Sequence, residues 1–293
     1  MIPDLPPLRD VIALHQLTAR KSLGQNYILD MNLNRKIARQ AALTAGDVVL
    51  EIGAGPGGLT RALLETDAAM IVAVEIDRRF APALALLAAA YGPRFAFHTT
   101  DGLQFCQENT LAVPHHVVAN LPYNVATRFL IHWLSSPAWP PAWQSLVITL
   151  QREVAGRLMA PPASSLYGRL SVLAQLRAQV TSPMTLPPDA FTPMPAVSST
   201  VVRITPGDEP IPPSMLPALV EVTRLAFQQR RKMIRSSLRH LFADPAGELT
   251  ALGLDPSCRA QDLDIEAYCH IARHAHAAGR PPTIIPDDDR QTR

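Results

Sequence analysis

From about residue 47 the chain alternates between short β-branched runs and longer stretches rich in Ala and Leu. Runs at residues 48–52, 71–76, 95–99, 117–119 and 146–150 have the length and apolar character of buried strands. Between most of them lie segments with apolar residues at helical spacing, such as 59–64 and 80–89. Strand then helix, repeated, predicts an α/β fold with a mostly parallel sheet wrapped by helices on both faces. Two further strand-like runs, 178–184 and 200–204, are separated by proline-rich turns and predict an antiparallel edge. Near residues 205–217 the composition shifts to Pro, Gly, Asp and Glu, which marks a domain boundary. Beyond it, 218–242 and 264–278 read as helices and no strand pattern survives. The expected organisation is an N-terminal arm over residues 1–20, an α/β domain over 21–207, a small all-helical domain over 208–280 and a polar tail over 281–293.

Composition narrows the class only a little. At 293 residues the chain can bury a sizeable core, mostly aliphatic because aromatic residues make up 5%. A formal charge of +2 is too small to argue for a nucleic-acid partner, so the placement of cations matters more than their sum. Cys106, Cys258 and Cys269 form no CxxC pair, which argues against a disulfide framework and fits a reducing compartment. His270, His274 and His276 have no acid or thiol at metal-ligand spacing beyond Cys269, so no metal is expected. Residues 1–10 carry three prolines and mixed charges where a signal peptide needs a basic end and an apolar run. The longest apolar stretch, 80–90, contains Pro82 and is too short to span a bilayer. These features lead us to expect a cytoplasmic protein without a membrane partner.

Candidate chemistry begins at Val48-Val-Leu-Glu-Ile-Gly-Ala-Gly-Pro-Gly-Gly-Leu-Thr60, a strand that runs into four glycines before a helix. Glycines let the backbone turn sharply and approach a ligand closely. The run matches GxGxxG and would also suit a dinucleotide. Two details favour S-adenosyl-L-methionine. Glu51 precedes the first glycine on the strand and suits a ligand with an ammonium group nearby. Pro56 stiffens the loop and removes an N–H donor that a pyrophosphate would want. Glu75, ending the second strand, can take both hydroxyls of a ribose, a feature both cofactors share. Asp101, ending the third, can accept the amino group of the cofactor's adenine, whereas Asp77 reads as a helix cap.

After the fourth strand comes Asn120-Leu-Pro-Tyr123, at the carboxyl end where open α/β sheets bind ligands. An adenine amine is a poor nucleophile because its lone pair is delocalised into the ring. Two acceptors aimed at its protons favour a pyramidal nitrogen and free that pair. The side-chain oxygen of Asn120 and the carbonyl of Leu121 can serve as those acceptors, with Pro122 fixing the chain direction. Tyr123 offers a ring on which a base can stack, worth about 1–3 kcal/mol. No strong general base is required, since the methylated ammonium is itself acidic.

The residues suggest a family. Lys21-Ser-Leu-Gly-Gln-Asn-Tyr27 resembles the KxxGQNF opening of the rRNA adenine N6,N6-dimethyltransferases. Residues 51–60, 74–77 and 120–124 resemble that family's cofactor and catalytic motifs in the same order, as do 150–154, 167–170, 191–198 and 226–232. The resemblance implies a class I S-adenosylmethionine-dependent methyltransferase fold, with a mostly parallel seven-stranded sheet and a small C-terminal helical domain. It implies two methyl transfers to each of two adjacent adenines in the 3′-terminal hairpin of small-subunit (16S) rRNA, on an immature small subunit, by a protein expected to be a monomer. The cofactor contacts it implies are Asn26, Ile28, Gly53, Glu75, Asp101 and Asn120, and Phe191 becomes a second stacking ring. Departures are mild: Tyr27 stands where Phe is usual, Ile28 where Leu is usual, Ala54 where Pro is usual, and Thr100-Asp101-Gly102 replaces Gly-Asp-Ala.

The related large-subunit resistance enzymes share the opening motif but more often carry isoleucine where this chain has Leu121, and lack a helix like Arg230-Arg-Lys232. Arg224, Arg230, Arg231, Lys232, Arg235 and Arg239 lie within 224–240 with no acid among them. If that segment is one helix, Arg231, Arg235 and Arg239 line one face and suit a phosphate backbone. Two readings from other classes stand beside the enzyme. One is a ribosome-assembly or RNA-binding factor without essential catalysis. The other is a nicotinamide oxidoreductase, for which no proton donor is evident.

Overall fold

The computed structural model describes residues 4–20, 24–108, 115–208 and 211–279. Lys21 to Leu23 of the opening motif, two residues of the proline-rich boundary and the tail over 281–293 lie outside them. Seven strands form one sheet: β1 (Val48–Ile52), β2 (Met70–Glu75), β3 (Phe95–Thr99), β4 (His115–Ala119), β5 (Trp143–Gln151), β6 (Ala178–Leu186) and β7 (Ser199–Pro206). Their order is β3-β2-β1-β4-β5-β7-β6, with β1 to β5 parallel and β7 antiparallel to β5. The first crossovers step outward from β1 to β2 and β3, and the chain then returns to place β4 on the other side of β1. That reversal opens a crevice above the carboxyl ends of β1 and β4.

The chain divides into two compact units. The first comprises Met1–Phe129, Ala142–Ala155 and Thr181–Thr205. Its core packs Val49, Ile71, Ala73, Val118, Val147 and Val201 of the sheet against Ile37, Leu63, Leu84 and Leu87 of the covering helices. The N-terminal arm is docked on this unit over its described residues. Leu8 and Val11 of the helix Leu8–Leu14 are buried, and Nη1 of Arg61 donates to the carbonyl of Pro6 at 2.8 Å. β4 begins two residues before the apolar run of the sequence, at His115 and His116. Both are buried, and Nδ1 of His116 lies 2.8 Å from Oγ of Ser145 while Nε2 sits 3.5 Å from Asp47. Burial holds this imidazole below its usual pKa, against the opposing pull of Asp47.

The second unit comprises Leu130–Pro141, Gly156–Val180 and Pro206–Arg293. It takes in two segments that precede the composition shift: Tyr167, Val172 and Leu176 of one join Leu219, Val222, Ile234 and Ile271 in one apolar cluster, and Leu134 and Ser136 of the other accept from Arg177. Arg177 is fully buried here. Its Nη1 donates to the carbonyls of Leu134 and Ser136, and its guanidinium lies 4.1 Å from the Trp139 ring centroid. The expected helix over 218–242 is broken. The helix Leu216–Gln228 stops at Gln229 (φ −125°, ψ 57°), and a short helix, Ile234–Ser237, follows. Between them Met233 bridges to Arg259 and the Ile234 N–H donates to the carbonyl of Cys258. No Gly or Pro signals the break; long-range pairing imposes it.

Candidate active site

The glycine loop follows β1 with Gly53, Gly55 and Gly57 all in the left-handed region (φ 79°, 53° and 87°). A Cβ at Gly53 would also lie 2.7 Å from Cδ2 of Leu121, which would have to move. The loop and the Asn-Leu-Pro-Tyr element are thus packed against each other. Glu75 ties the loop down from β2. One carboxylate oxygen accepts from the Gly55 N–H and the other from the Asp77 N–H, each at 2.8 Å. Burial raises its pKa and the backbone donors oppose that shift. Each oxygen keeps a further lone pair for a hydroxyl donor. Asp77 is the cap the sequence predicts: it accepts from the Arg79 N–H and pairs with the Arg79 guanidinium.

Asp101 lies two residues beyond β3 and accepts from the N–H groups of Leu103 and Gln104 through Oδ1, at 2.8 and 3.0 Å. It therefore caps the helix Gly102–Glu108 while lining the cavity. The glycine after it has a steric cause. A Cβ on Gly102 would meet Cγ2 of Ile52 at 2.8 Å and Cζ of Phe129 at 2.9 Å.

A cavity of about 290 Å³ collects these groups. Asn26, Ile28, Gly53, Glu75 and Asp101 line it, and so do Asn120, Leu121, Pro122, Tyr123 and Phe191. These ten residues, read from the sequence as cofactor-binding or catalytic, are therefore brought together in the first unit; Glu51 is not among them. The Pro122 carbonyl accepts from the N–H groups of Val125 and Ala126 and starts the helix Tyr123–Leu134. Among the described residues the Asn120 carboxamide has no hydrogen-bond partner. Asn26 donates to the carbonyl of Gly24 at 3.0 Å. Phe191 is held beside a two-way bridge, in which Tyr27 and Thr192 exchange backbone hydrogen bonds of 2.8 Å.

Sequence reasoning missed several supporting residues. The hydroxyl of Tyr27, which burial pushes up to about 12, donates to Gln25, and the Gln25 amide donates in turn to Asp77. Tyr123 Oη lies 2.7 Å from Oγ of Ser199, 76 positions away. Only the extra oxygen of Tyr27 over the usual Phe could have hinted at the first link; nothing in the sequence signals the second.

Glu51 does not behave as expected. It is buried (1% exposed), does not line the cavity, and neither carboxyl oxygen makes a hydrogen bond. Burial pushes its pKa up to about 8, with the Thr60 hydroxyl opposing and Glu75 adding to the rise. Burial thus favours its neutral form, and the residue lies outside the cavity lining, not within it as a partner for an ammonium group would.

The basic residues lie in the second unit and do not share one helical face. Arg224 pairs with Glu221 through two contacts of 2.7 Å. Arg230 donates to Gln261 and to the carbonyl of Ser164, at 3.1 and 3.2 Å. Arg231, Lys232 and Arg235 are exposed. Among the described residues, no group of three or more His, Cys, Asp or Glu side chains is placed to hold a metal, and no helix is long and apolar enough to cross a membrane.

A loop of left-handed glycines at a strand switch point, an acid at the end of β2 and another just beyond β3, on a seven-stranded sheet with β7 antiparallel, are the architecture of a class I methyltransferase, and the family match makes S-adenosyl-L-methionine its cofactor. The chain belongs to the ribosomal RNA adenine dimethylase family, whose model matches residues 16–276. It is 51% identical to the ribosomal RNA small subunit methyltransferase A of Ruegeria sp. (strain TM1040) over 272 residues, 93% of this chain and 97% of that one. Among solved structures it resembles a dimethyladenosine transferase from Plasmodium falciparum, with a TM-score of 0.71 and 21% identity over 85% of this chain and 97% of that one. It also resembles the 23S rRNA methyltransferase ErmE, with a TM-score of 0.63 and 21% identity over 85% of this chain and 99% of that one. Those two likenesses concern the fold.

Proposed function

We propose that the protein dimethylates the N6 amines of two adjacent adenines in the 3′-terminal hairpin of small-subunit rRNA, as a step in ribosome biogenesis. The observation that carries this reading is the meeting of Asn120 to Tyr123 and Phe191 with Glu75 and Asp101 in one cavity. The relatives near 50% identity supply the small-subunit target through their own description. S-adenosylmethionine, when bound, supplies an electrophilic sulfonium methyl. Gly53, Glu75 and Asp101, with Asn26 and Ile28, hold the cofactor, and Glu75 accepts from its ribose. Asn120 and the Leu121 carbonyl accept from the target amine, which frees the nitrogen lone pair toward the methyl. Tyr123 and Phe191 stack on the base after it leaves its helix.

Residues 21–207 carry cofactor and chemistry in this reading, and 208–280 carry RNA contact. Arg231, Lys232 and Arg235 contact phosphates, with Arg230 contributing what its internal bonds leave free. The working form is a cytoplasmic monomer acting on an immature small subunit.

The test is transfer of labelled methyl from S-adenosylmethionine to undermethylated small ribosomal subunits, with large subunits as control and nucleoside analysis of the product. Dimethyladenosine confined to small-subunit RNA is expected. Label confined to large-subunit RNA would move the assignment to the resistance enzymes. Cofactor binding without transfer to either would leave an assembly factor.

A further inference from the structure

The ring of Tyr123 is held from its far end. Tyr123 opens the helix Tyr123–Leu134, and its ring, like that of Phe191, lines the cavity. Its Oη lies 2.7 Å from Oγ of Ser199, and either hydroxyl can be the donor. Ser199 is fully buried (0% exposed) and is the first residue of β7, where it pairs in register with Gln151 of β5. One residue earlier, the carbonyl of Ser198 accepts from the Arg152 N–H at 3.1 Å. The backbone at Ser199 is therefore held against β5 and the residue that follows it, and its hydroxyl is an anchor on the sheet.

We infer that Ser199 is a positioning residue of the methyl-transfer reaction, which sets the tilt of the Tyr123 ring through the bond between the two hydroxyls. The terminal torsion of a tyrosine is broad, so side-chain packing alone leaves the ring plane soft. A base stacked on that plane inherits its tilt, and the amine must meet the methyl within narrow limits of distance and angle. A phenylalanine at position 123 would present the same stacking face without the anchor. This separates the part of Tyr123 that touches the base from the part that Ser199 holds. The inference rests on the functional reading above, in which Tyr123 carries the target adenine.

The test is a double-mutant cycle of Ser199→Ala and Tyr123→Phe, read as kcat and KM for methyl transfer to undermethylated small subunits. Cofactor affinity and unfolding midpoints are measured alongside. Each single substitution should lower kcat about 5-fold, the effect of one lost hydrogen bond, with cofactor affinity unchanged. The double variant should be no slower than either single one, since all three lack the same bond. Tyr123→Phe leaves β7 intact and keeps the test decisive if Ser199→Ala does not fold. Losses that multiply in the double variant, or lower midpoints with kcat unchanged, would overturn the positioning role alone. A wild-type protein inactive on small subunits would overturn the functional reading and this role with it.

Discussion

The residues around the cavity and the cations beyond residue 224 are placed by different means. Glu75, Asp101 and Pro122 stand at or just beyond the carboxyl ends of β2, β3 and β4 and are held by backbone hydrogen bonds to the loops and helices that follow. Their positions come from the sheet register, which buried apolar strands specify strongly. The cations lie on a helix end, an irregular stretch and a short helix in the second unit. There Arg224 and Arg230 are drawn into internal pairs, while Arg231, Lys232 and Arg235 are exposed. Chemistry that needs sub-ångström placement sits on the sheet, whereas attraction to a phosphate chain needs only charge near the surface.

If that contrast is right, a single polar deletion at the cavity should be severe. Asn120→Ala should lower kcat about 100- to 1,000-fold at saturating cofactor, with the unfolding midpoint near wild type. Normal transfer by a folded Asn120→Ala protein would remove Asn120 from the chemistry.

The contrast extends to what lies beneath the cavity. A folded pKa of about 8 for Glu51, above the ordinary 4.5, means that the folded state holds its proton more tightly than the unfolded chain does. The stability this contributes is full below about pH 4.5 and is lost as pH rises through 8. Glu51→Gln cannot titrate, so relative to wild type it should gain stability between pH 5 and pH 8, by roughly 3 kcal/mol. Denaturant unfolding at the two pH values measures this. A constant difference would mean that Glu51 is already ionised in the folded protein.

Glu75→Ala removes the acceptor for the Gly55 and Asp77 N–H groups as well as the carboxylate offered to the cofactor. Cofactor affinity by calorimetry should fall about 10- to 100-fold, consistent with losing hydrogen bonds to a charged group. A smaller loss would mean that the glycine loop keeps its shape unaided.

The smallest effects belong to the cations, and their pattern is the sharper test. Arg231→Ala and Arg235→Ala should each weaken RNA binding and make its salt dependence shallower by about one unit, with stability unchanged. Arg230→Ala should instead lower stability by about 1 kcal/mol, since it breaks the contacts to Gln261 and Ser164. Equal behaviour of all three would erase the distinction between internal and free cations.

The legibility of the sequence follows the same divide. The apolar runs, the glycine loop, Glu75, Asp101 and Asn120 to Tyr123 could be read because each is a local signal: a period, a backbone requirement or an acid at a strand end. His115 and His116 hid the start of β4, since His116 is buried with Ser145 and Asp47 for partners and His115 pairs with Trp143, all from elsewhere in the chain. The run of arginines read as one helix because no breaker residue interrupts it; the break comes from Arg259 and Cys258 pairing with the segment.

By itself, then, the order of residues determined the alternation of strand and helix, the loop that must be glycine and the polar groups the chemistry needs, because those properties belong to a residue and its near neighbours. Only the tertiary structure decided that Gly102 must be small, that Glu51 is buried outside the cavity lining with its pKa raised, that Arg230 is engaged internally and that Ser199 bonds to Tyr123. Each of those depends on an atom brought close by folding from a distant part of the chain, and the free energy of burial or contact that results has no local counterpart in the sequence.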